Sequence, residues 1–367
     1  MKVIVIGAGA AGLSIGWRLA QVGAEAVVIE RGQPGRGATW AAAGMIAAAP
    51  QTPEPGDAAG ELAWHSAKLW PGFATELEEA SGRSVSFDVN GGLAVARTPE
   101  ELEALRTRAA RGEGEVISAE AARIRESRLA PEVIGALWIE NETKVDNRAL
   151  GPALAMAFAK AGGSLLVNET VVRFEVHENR VLGVRTPFAF HQADTYVLAA
   201  GAWASRIEGL PRDAMPPVIP VKGEMLALQP PAGAALPVPG IIGNDIYLVA
   251  QRSQLLIGAT VTREGFDTST TVAAAGWLLD RAASLIPALR SWTEVEHWAG
   301  LRPGTPDDLP VLGRSTLEGL FVAGGQFRSG ILYTPAIADA VSALVLGRSP
   351  PFDLGAFDPA RFGGSNQ

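Results

Sequence analysis

The stretch that decides the fold stands at the start of the chain, where residues 2–12 read KVIVIGAGAAG. A β-branched run comes before Gly7, and apolar residues with helical spacing follow at positions 13–22. A second β-branched run, residues 26–29, ends at Glu30. This order of elements predicts a βαβ unit at the beginning of the chain.

The residue types in the glycine-rich turn each have a physical reason. Gly7, Gly9 and Gly12 permit a tight turn, a close approach of the backbone to a pyrophosphate, and close packing of the helix on the strand. The helix N-terminus supplies N–H groups and a positive dipole end, and Glu30 is placed to receive a ribose hydroxyl. A simple packing turn in an alanine-rich chain is the alternative, but the flanking strand, helix and acid favour a bound dinucleotide. The pattern serves FAD and NAD alike.

The bulk composition limits the classes of function. With 367 residues, 47% of them hydrophobic and 19% charged, the chain predicts a soluble α/β protein of two domains. A formal net charge of −8 argues against a nucleic-acid partner, and the absence of cysteine excludes disulfides, thiolate metal sites and a flavin tethered through sulfur. No apolar stretch reaches the roughly 20 residues of a membrane span. We therefore expect a cytoplasmic protein with neither a membrane nor a metal site.

Three segments further along the chain favour FAD over NAD. Residues 37–45, GATWAAAGM, combine small side chains with free N–H groups where a bulky isoalloxazine ring can pass. Residues 197–203, VLAAGAW, predict a strand that leads into a backbone-exposing turn at Gly201. Residues 323–334 run through Arg328 to a helix whose N-terminus can face the pyrimidine edge of a flavin. Taken singly, each could be an ordinary turn, strand end or loop.

Later patterns complete the predicted fold. Helical patterns at 61–80, 99–112 and 119–128 indicate a separate, mostly exposed layer, whereas strand-like runs within 218–261 indicate an antiparallel sheet. A last helix is expected to begin with Thr334 as its N-cap. The predicted fold class is α/β, with a Rossmann-like FAD-binding domain and a second α+β substrate domain on an antiparallel sheet. The predicted FAD-binding domain takes residues 1–85, 145–215 and 300–367, and the predicted substrate-binding domain takes residues 86–144 and 216–299.

Six motifs are spread over nearly the whole chain. They are the turn at 7–12 with Glu30, AAAGM at 41–45, PVKGEM at 220–225, GAT at 258–260, WAGLRPGTP at 298–306 and FRSGIL at 327–332. Together they resemble the glycine oxidase branch of the D-amino-acid oxidase family. The segment 298–306 is the most specific of them, because the N-terminal turn is common to many flavoproteins.

The resemblance implies a two-domain fold, non-covalent FAD, and oxidation of glycine, sarcosine and small D-amino acids. Hydride transfer from Cα to flavin N5 would give an imino acid, with O2 reduced to H2O2. It also implies a part in thiamine biosynthesis and a possible homo-oligomer, a tetramer. The chain departs from the family pattern where Gln326 and Ser329 replace a histidine and an asparagine, and where Asp245 stands at a usually basic or polar position. These departures bear on substrate preference.

Since the cofactor carries the electrons, the protein mainly orients the substrate. Arg302 is predicted to hold both oxygens of the substrate carboxylate, because a planar guanidinium matches them. By resemblance, Tyr247 adds a hydroxyl to the same carboxylate, and Met45 and Val261 line the pocket with apolar groups. Arg328 is expected to position the amine or the flavin. A surface ion pair, a core hydroxyl or plain core packing is the structural alternative for these residues.

The predicted cofactor contacts combine the motif residues with their neighbours. They are Gly7, Gly9, Ala10, Ala11, Gly12, Glu30, Arg31, Thr39, Ala43, Gly44, Met45, Val171, Gly201, Trp203, Arg302, Arg328, Gly330, Ile331 and Leu332.

Two other functions stay open at this stage. One is an FAD-dependent amino-acid dehydrogenase with a quinone or protein acceptor, and the other is a non-catalytic flavin-binding partner subunit.

Overall fold

The structure is a computed structural model that describes residues 1–46 and 56–362. Residues 47–55, within the predicted segment 1–85, and residues 363–367, within the predicted segment 300–367, lie outside the described residues. The strands of the described part are β1 (Lys2–Ile6), β2 (Glu25–Glu30), β3 (Met45–Ile46), β4 (Asp88–Val89), β5 (Gly92–Ala96), β6 (Glu115–Ser118), β7 (Gly135–Ile139), β8 (Thr143–Lys144), β9 (Ser164–Val167), β10 (Arg173–His177), β11 (Arg180–Arg185), β12 (Phe190–His191), β13 (Thr195–Leu198), β14 (Ile219–Gln229), β15 (Gly240–Ile242), β16 (Tyr247–Gln251), β17 (Gln254–Gly258), β18 (Thr293–Gly304), β19 (Val311–Arg314) and β20 (Leu320–Gly324).

The helices are fewer and mostly longer than the strands. They are α1 (Ala10–Gln21), α2 (Ala38–Ala41), α3 (Ala58–Ser81), α4 (Pro99–Ala110), α5 (Ala119–Arg125), α6 (Asn147–Lys160), α7 (Val272–Leu285) and α8 (Thr334–Val345). None of these described helices is both long enough and apolar enough to cross a membrane.

The first sheet contains the predicted βαβ unit. Its strand order is β19-β20-β13-β1-β2-β9, and every neighbouring pair is parallel except β19 with β20. α1 packs against α6 and α8, and Trp17, Phe158 and Ile337 are fully buried in the core that these helices share. The carboxyl ends of β1, β2 and β13 therefore meet at one edge, the place where open parallel sheets bind ligands.

The second sheet brings together residues that are far apart in sequence. Its order is β18-β14-β17-β16-β15-β5-β7-β6, and its neighbours are antiparallel except β15 with β5. β14 lies between β18 and β17, so Met225 pairs with Trp298 on one side and with Gly258 on the other. Tyr247 pairs with the same Gly258 from β16. One row across the sheet thus aligns positions from three sequence motifs.

The predicted fold class is confirmed, but two local expectations are wrong. α3, expected in an exposed layer, buries Trp70 and Phe73 against the first sheet's helices, because its apolar residues recur on one face. α8 has Tyr333 rather than Thr334 as its N-cap. The hydroxyl of Thr334 donates to the carbonyl oxygen of Gly330 at 2.9 Å, and no side chain caps the first turn of α8.

The predicted domain division meets one continuous element. β18 runs from Thr293 to Gly304 and crosses residue 300, where the predicted segments change. Three short strands, β3, β8 and β4, form a separate small sheet that joins residues of both predicted domains. The boundaries therefore stay a prediction.

Candidate active site

A cavity of about 1730 Å³ lies between the two large sheets. Ile6 and Ala199 line it at the carboxyl ends of β1 and β13, and Met225 and Tyr247 line it from β14 and β16. Small-molecule pockets commonly occupy about 300–1000 Å³. The volume therefore suits a ligand as large as a dinucleotide together with a small substrate.

Nearly all the predicted site residues line this cavity. Gly12 does not: a Cβ atom there would lie 1.9 Å from the carbonyl oxygen of Gly7, so its place is in the packing of α1 on β1. The predicted residues that line the cavity are Gly7, Gly9, Ala10, Ala11, Glu30, Arg31, Thr39, Ala43, Gly44, Met45, Val171, Gly201, Trp203, Tyr247, Val261, Arg302, Arg328, Gly330, Ile331 and Leu332.

The turn after β1 forms a cradle made of backbone. Gly7 has a φ of +104°, and a Cβ atom there would lie 2.5 Å from the carbonyl oxygen of Ala199. The amide of Ala10 donates to the hydroxyl of Thr39 at 3.0 Å, while Gly9, the N-cap of α1, provides no side-chain cap. Helix N-termini of this kind favour an anion. The cradle fits the pyrophosphate of a dinucleotide.

Glu30 closes the same end of the cavity. Its carboxylate oxygens accept hydrogen bonds from the amides of Ala8 at 2.7 Å and Gly32 at 3.0 Å. Beside it, the guanidinium of Arg31 lies 3.5 Å from the centre of the Trp203 ring, and burial lowers the pKa of Arg31. The fixed carboxylate is suited to ribose hydroxyls, and the stacked pair offers a flat wall beside it.

Asn147 and Trp298, neither of them among the predicted site residues, hold α2 in place. Nδ2 of Asn147 donates to the carbonyl oxygens of Thr39 and Trp40, each at 2.9 Å. The indole Nε1 of Trp298 donates to the carbonyl oxygen of Ala41 at 3.0 Å. These hydrogen bonds satisfy three backbone carbonyl groups of the alanine-rich segment at residues 37–45. No local sequence pattern marks either side chain as a tether, because each partner lies more than a hundred positions away.

The loop before α8 is also fixed through its carbonyl groups. Ser66 Oγ and Trp70 Nε1 donate to the carbonyl oxygen of Leu332 at 2.6 and 2.9 Å. The carbonyl oxygen of Gly330 is bonded to the hydroxyl of Thr334. With both Gly330 and Leu332 on the cavity wall, the positive end of α8 faces the cavity. This end suits negative charge on the pyrimidine edge of a flavin.

Gln326 is a further polar group on the cavity wall. Its side chain is 7% exposed, and its Nε2 has no hydrogen-bond partner among the described residues. An unpaired buried donor costs about 1–3 kcal/mol. The orphaned amide indicates that the cavity is built to hold a polar ligand.

Arg302 and Tyr247 are neighbours on the wall that the second sheet forms. Nη1 of Arg302 donates to the carbonyl oxygens of Thr260 at 3.1 Å and Lys222 at 3.4 Å. A guanidinium has five N–H donors, so donors remain for a carboxylate. The hydroxyl of Tyr247 lies 3.7 Å from Sδ of Met225.

Two glycines make room for this pair. A Cβ atom at Gly223 would lie 2.3 Å from Nη1 of Arg302. A Cβ atom at Gly258 would lie 2.4 Å from the hydroxyl oxygen of Tyr247. Both glycines belong to strands that lie next to the strands of Arg302 and Tyr247. The glycine backbone therefore leaves room for the guanidinium and the phenol.

Burial sets the protonation of the pair. It raises the pKa of the Tyr247 hydroxyl, against the opposing pull of Arg302 and Arg328. Burial and the nearby Arg328 lower the pKa of Arg302, yet an arginine stays protonated in proteins. At neutral pH the pair is therefore a neutral phenol beside a cation. This combination binds a carboxylate by charge-assisted hydrogen bonds.

Met45, Val261 and Arg328 reach the cavity from three different elements. Met45 belongs to β3 and lies partly buried near the row of the second sheet, whereas Val261 is 46% exposed. Arg328 lies in the loop before α8, exposed to solvent but close enough to act on the pKa of Tyr247. Val261 and Arg328 thus stand nearer the open side of the cavity than Arg302 does.

Behind Arg302, a buried lysine anchors the loop between β17 and α7. The side chain of Lys222 is inaccessible to solvent, and its Nζ lies 2.8 Å from Glu264 and 3.0 Å from Asp267. Burial alone would lower the pKa of Lys222, but the two carboxylates raise it. Phe266, between them in the loop, packs its ring 6.1 Å from that of Trp203. The loop thus crosses from the second sheet to the dinucleotide end.

Metal binding finds no support in the ranges 1–46 and 56–362. No group of three or more histidine, cysteine, aspartate or glutamate side chains there could hold a metal ion.

Curated relatives align with this chain over nearly its whole length. A glycine oxidase of Geobacillus kaustophilus is 35% identical, over 98% of this chain and 96% of the relative. A bifunctional ThiO/ThiG protein of Trichormus variabilis is 34% identical over 98% of this chain but only 55% of its own length. The chain therefore spans about half the length of the bifunctional relatives it matches.

Solved structures and a family model also match nearly the whole chain. The crystal structure of glycine oxidase from Geobacillus kaustophilus matches with a TM-score of 0.91 and 33% identity, over 98% of both chains. That of an iminodiacetate oxidase from Chelativorans sp. BNC1 matches with a TM-score of 0.88 and 26% identity, over 97% of this chain and 98% of the other. The model of the FAD dependent oxidoreductases named DAO matches residues 2–344. With its dinucleotide cradle and its arginine–tyrosine wall, the chain belongs to the DAO family of FAD-dependent oxidoreductases, and its cofactor is FAD.

Proposed function

We propose that this protein oxidises glycine and related small amines, such as sarcosine and small D-amino acids, with O2 as the electron acceptor. The products are the imino acid and H2O2. The observation that carries the proposal is the buried pair of Arg302 and Tyr247 on the wall of the FAD cavity. The similarity to glycine oxidases over the full length of those relatives supports it.

Arg302 and Tyr247 bind and orient the substrate. The guanidinium is held by two backbone carbonyl groups on one edge, which leaves its other donors in a fixed plane for the two carboxylate oxygens. The phenol keeps its proton because burial raises the pKa of Tyr247, so it remains a donor to the same carboxylate. Fixing a substrate by its carboxylate places the α-carbon within a narrow volume, which is where orientation contributes to rate.

Bound FAD would supply the redox chemistry by taking up a hydride from the α-carbon of the substrate. The chain's own residues hold the cofactor: the cradle around Gly7 takes the pyrophosphate, Glu30 the ribose, and the amide end of α8 the pyrimidine edge. Apolar groups around the pair, Met45 and Met225 among them, exclude water from the substrate. No side chain is needed as a catalytic base.

Several finer points belong to the same proposal. The cavity-lining residues named above are the proposed cofactor and substrate contacts, and FAD is held non-covalently. The two sets of segments predicted from the sequence are proposed as the two domains. We further propose a cytoplasmic homotetramer. Bifunctional ThiO/ThiG relatives contain a region that matches this chain within a longer protein. We propose that this chain takes part in thiamine biosynthesis.

The test is anaerobic reduction of the bound flavin. Purified holoprotein is mixed under argon with glycine, sarcosine, D-alanine, D-proline and the L-forms of the last two, and the visible flavin absorbance is followed. Glycine or sarcosine is expected to bleach the flavin, and readmitted air is expected to restore it with one H2O2 per substrate consumed. A flavin that no small amino acid bleaches would overturn the proposal. Bleaching without peroxide on reoxidation would assign the electrons to another acceptor.

A further inference from the structure

The charged residues on the cavity wall are unevenly distributed. Four acids line the described cavity, and three of them, Glu30, Glu169 and Glu208, belong to the dinucleotide end. Among the lining residues from 223 onwards, Asp245 is the one acid, against the two cations Arg302 and Arg328. The substrate end therefore has one acid and two arginines on its described wall.

Asp245 lies in the turn between β15 and β16, two residues before Tyr247. The turn is closed by a hydrogen bond from the amide of Gly243 to the carbonyl oxygen of Ile246 at 2.8 Å. The side chain of Asp245 is 41% exposed, so its carboxylate stands at the open side of the cavity rather than in its depth. It shares the cavity wall with the phenol that the proposed substrate carboxylate meets.

One cation outside the cavity wall holds this carboxylate. The guanidinium of Arg281, on α7, lies 3.2 Å from Oδ2 of Asp245, and its Cζ lies 5.5 Å from the centre of the Trp277 ring. Trp277 lines the cavity and Arg281 does not. The ion pair thus holds Asp245 from α7, outside the cavity wall, and offsets part of its negative charge.

The charges on the wall have a simple balance. Among the side chains that line the substrate end, Arg302 and Arg328 are positive and Asp245 is negative, so one substrate carboxylate balances these lining charges. Arg281, which does not line the cavity, offsets part of the charge of Asp245 and weakens its effect without removing it. A second carboxylate on the substrate would leave an excess negative charge there. Like charges in a partly desolvated site repel one another, and that repulsion weakens binding.

We propose that Asp245 is a specificity-determining residue that restricts the site to amino acids with a single carboxylate. This inference rests on the proposed function, because it concerns the same substrates. It sets this chain apart from any relative on the same fold that accepts a dicarboxylic amine such as iminodiacetate. A neutral substituent meets no such electrostatic barrier.

The test compares iminodiacetate with its monoamide, which has the same shape and one carboxylate fewer. In the holoprotein, kcat/KM for the monoamide is expected to exceed that for iminodiacetate by about tenfold, because Asp245 is half exposed and its field is partly screened. In Asp245→Asn the ratio is expected to fall by about 3- to 10-fold. In Arg281→Met, which removes the counter-ion, the ratio is expected to rise.

Asp280→Asn is the matched control. It makes the same change of charge on the exposed surface of α7, where Asp280 pairs with Arg290 at 2.8 Å and does not line the cavity. Its ratio is expected to equal that of the unaltered protein. A ratio that moves equally in Asp280→Asn and Asp245→Asn would reduce the effect to net charge and overturn the proposal.

A binding experiment separates this inference from the proposed function. Malonate and malonamate, which cannot be oxidised as amines, are titrated against the flavin absorbance of the holoprotein. Malonamate is expected to bind about tenfold more tightly than malonate, and this preference is expected to shrink in Asp245→Asn. If no amine bleaches the flavin but this preference shifts, the proposed function fails and the inference stands. If amines are oxidised and neither ratio differs between Asp245→Asn and the unaltered protein, the inference is overturned.

Discussion

The dinucleotide end and the substrate end of the cavity differ in how far apart along the chain their residues lie. At the dinucleotide end, Gly7, Gly12 and Glu30 belong to one βαβ unit, and the turn between its first strand and its helix presents backbone groups. At the substrate end, Arg302 and Tyr247 are side chains from strands that meet only through β14 and β17. A backbone site of this kind is encoded locally, whereas a side-chain site needs the assembled sheet.

The glycines of the two ends show the same difference. At Gly12, an added Cβ atom would meet a backbone oxygen that cannot move without the strand. At Gly223, it would meet the far end of the Arg302 side chain, which can shift. Substitutions at the two ends should therefore fail in different ways: loss of the cofactor at one, and loss of substrate binding with the cofactor retained at the other.

The largest effect is expected from Gly12→Ala. Its Cβ atom would lie 1.9 Å from the carbonyl oxygen of Gly7, so α1 must move off β1 and the pyrophosphate cradle is lost. We expect at least about tenfold less flavin per purified chain, measured as the ratio of flavin to protein absorbance. Gly72→Ala, on the exposed face of α3 with open space around it, is the control and should keep its flavin. Full flavin content in Gly12→Ala would contradict the distinction.

Arg302→Ala should leave the cofactor in place and disable the substrate end. Without the guanidinium, the carboxylate loses charge-assisted hydrogen bonds, and KM for glycine is expected to rise roughly 100-fold. Steady-state kinetics and the flavin content are measured together. Arg290→Ala removes an exposed arginine outside the cavity and should change neither. An unchanged KM in Arg302→Ala would remove this arginine from the site.

Gly223→Ala tests whether the sheet backbone makes room for the guanidinium. The new Cβ atom would lie 2.3 Å from Nη1 of Arg302 and displace it, and a misplaced binding group is expected to lower kcat/KM about tenfold. Flavin content should stay that of the unaltered protein. Gly240→Ala, on β15 with no atom within 4 Å of the added Cβ, serves as the matched control. Equal kinetics in the two variants would show that Arg302 does not depend on Gly223.

The smallest effect concerns the loop that joins the two ends. The amide and hydroxyl of Ser269, and then Lys222, lower the pKa of Asp267 from 3.8 to about 2. Since the folded pKa lies below the unfolded one, this carboxylate stabilises the protein above pH 3.8 and loses that contribution as the pH falls through about 2. Asp267→Asn should therefore lower Tm slightly at pH 7, with a difference that narrows below about pH 4. A difference that is the same at pH 7 and pH 3 would assign the effect to packing instead.

Much of the fold could be predicted from the sequence because its signals are local. The βαβ unit at residues 2–30 and the helices α4 and α5 follow from periodicity and turn residues. The expectation that α3 belongs to an exposed layer is wrong. Its charged residues suggested a solvated helix, but its apolar face packs on α6 and α8, which are distant in sequence. The misplaced N-cap at Thr334 has a local cause, since a threonine hydroxyl before a helix can bond to a carbonyl group four residues earlier as well as cap the helix.

The sequence by itself determined the βαβ unit at the start of the chain and predicted a dinucleotide at Gly7, Gly9 and Glu30, because a glycine turn before a helix is a short-range property of the backbone. It also drew attention to Arg302 and Tyr247 through motifs. Only the tertiary structure decided that these two are neighbours and that Asp245 stands at the open side of their cavity. Contacts between side chains on different strands depend on sheet order and register, and neither can be derived from the spacing of residues along the chain.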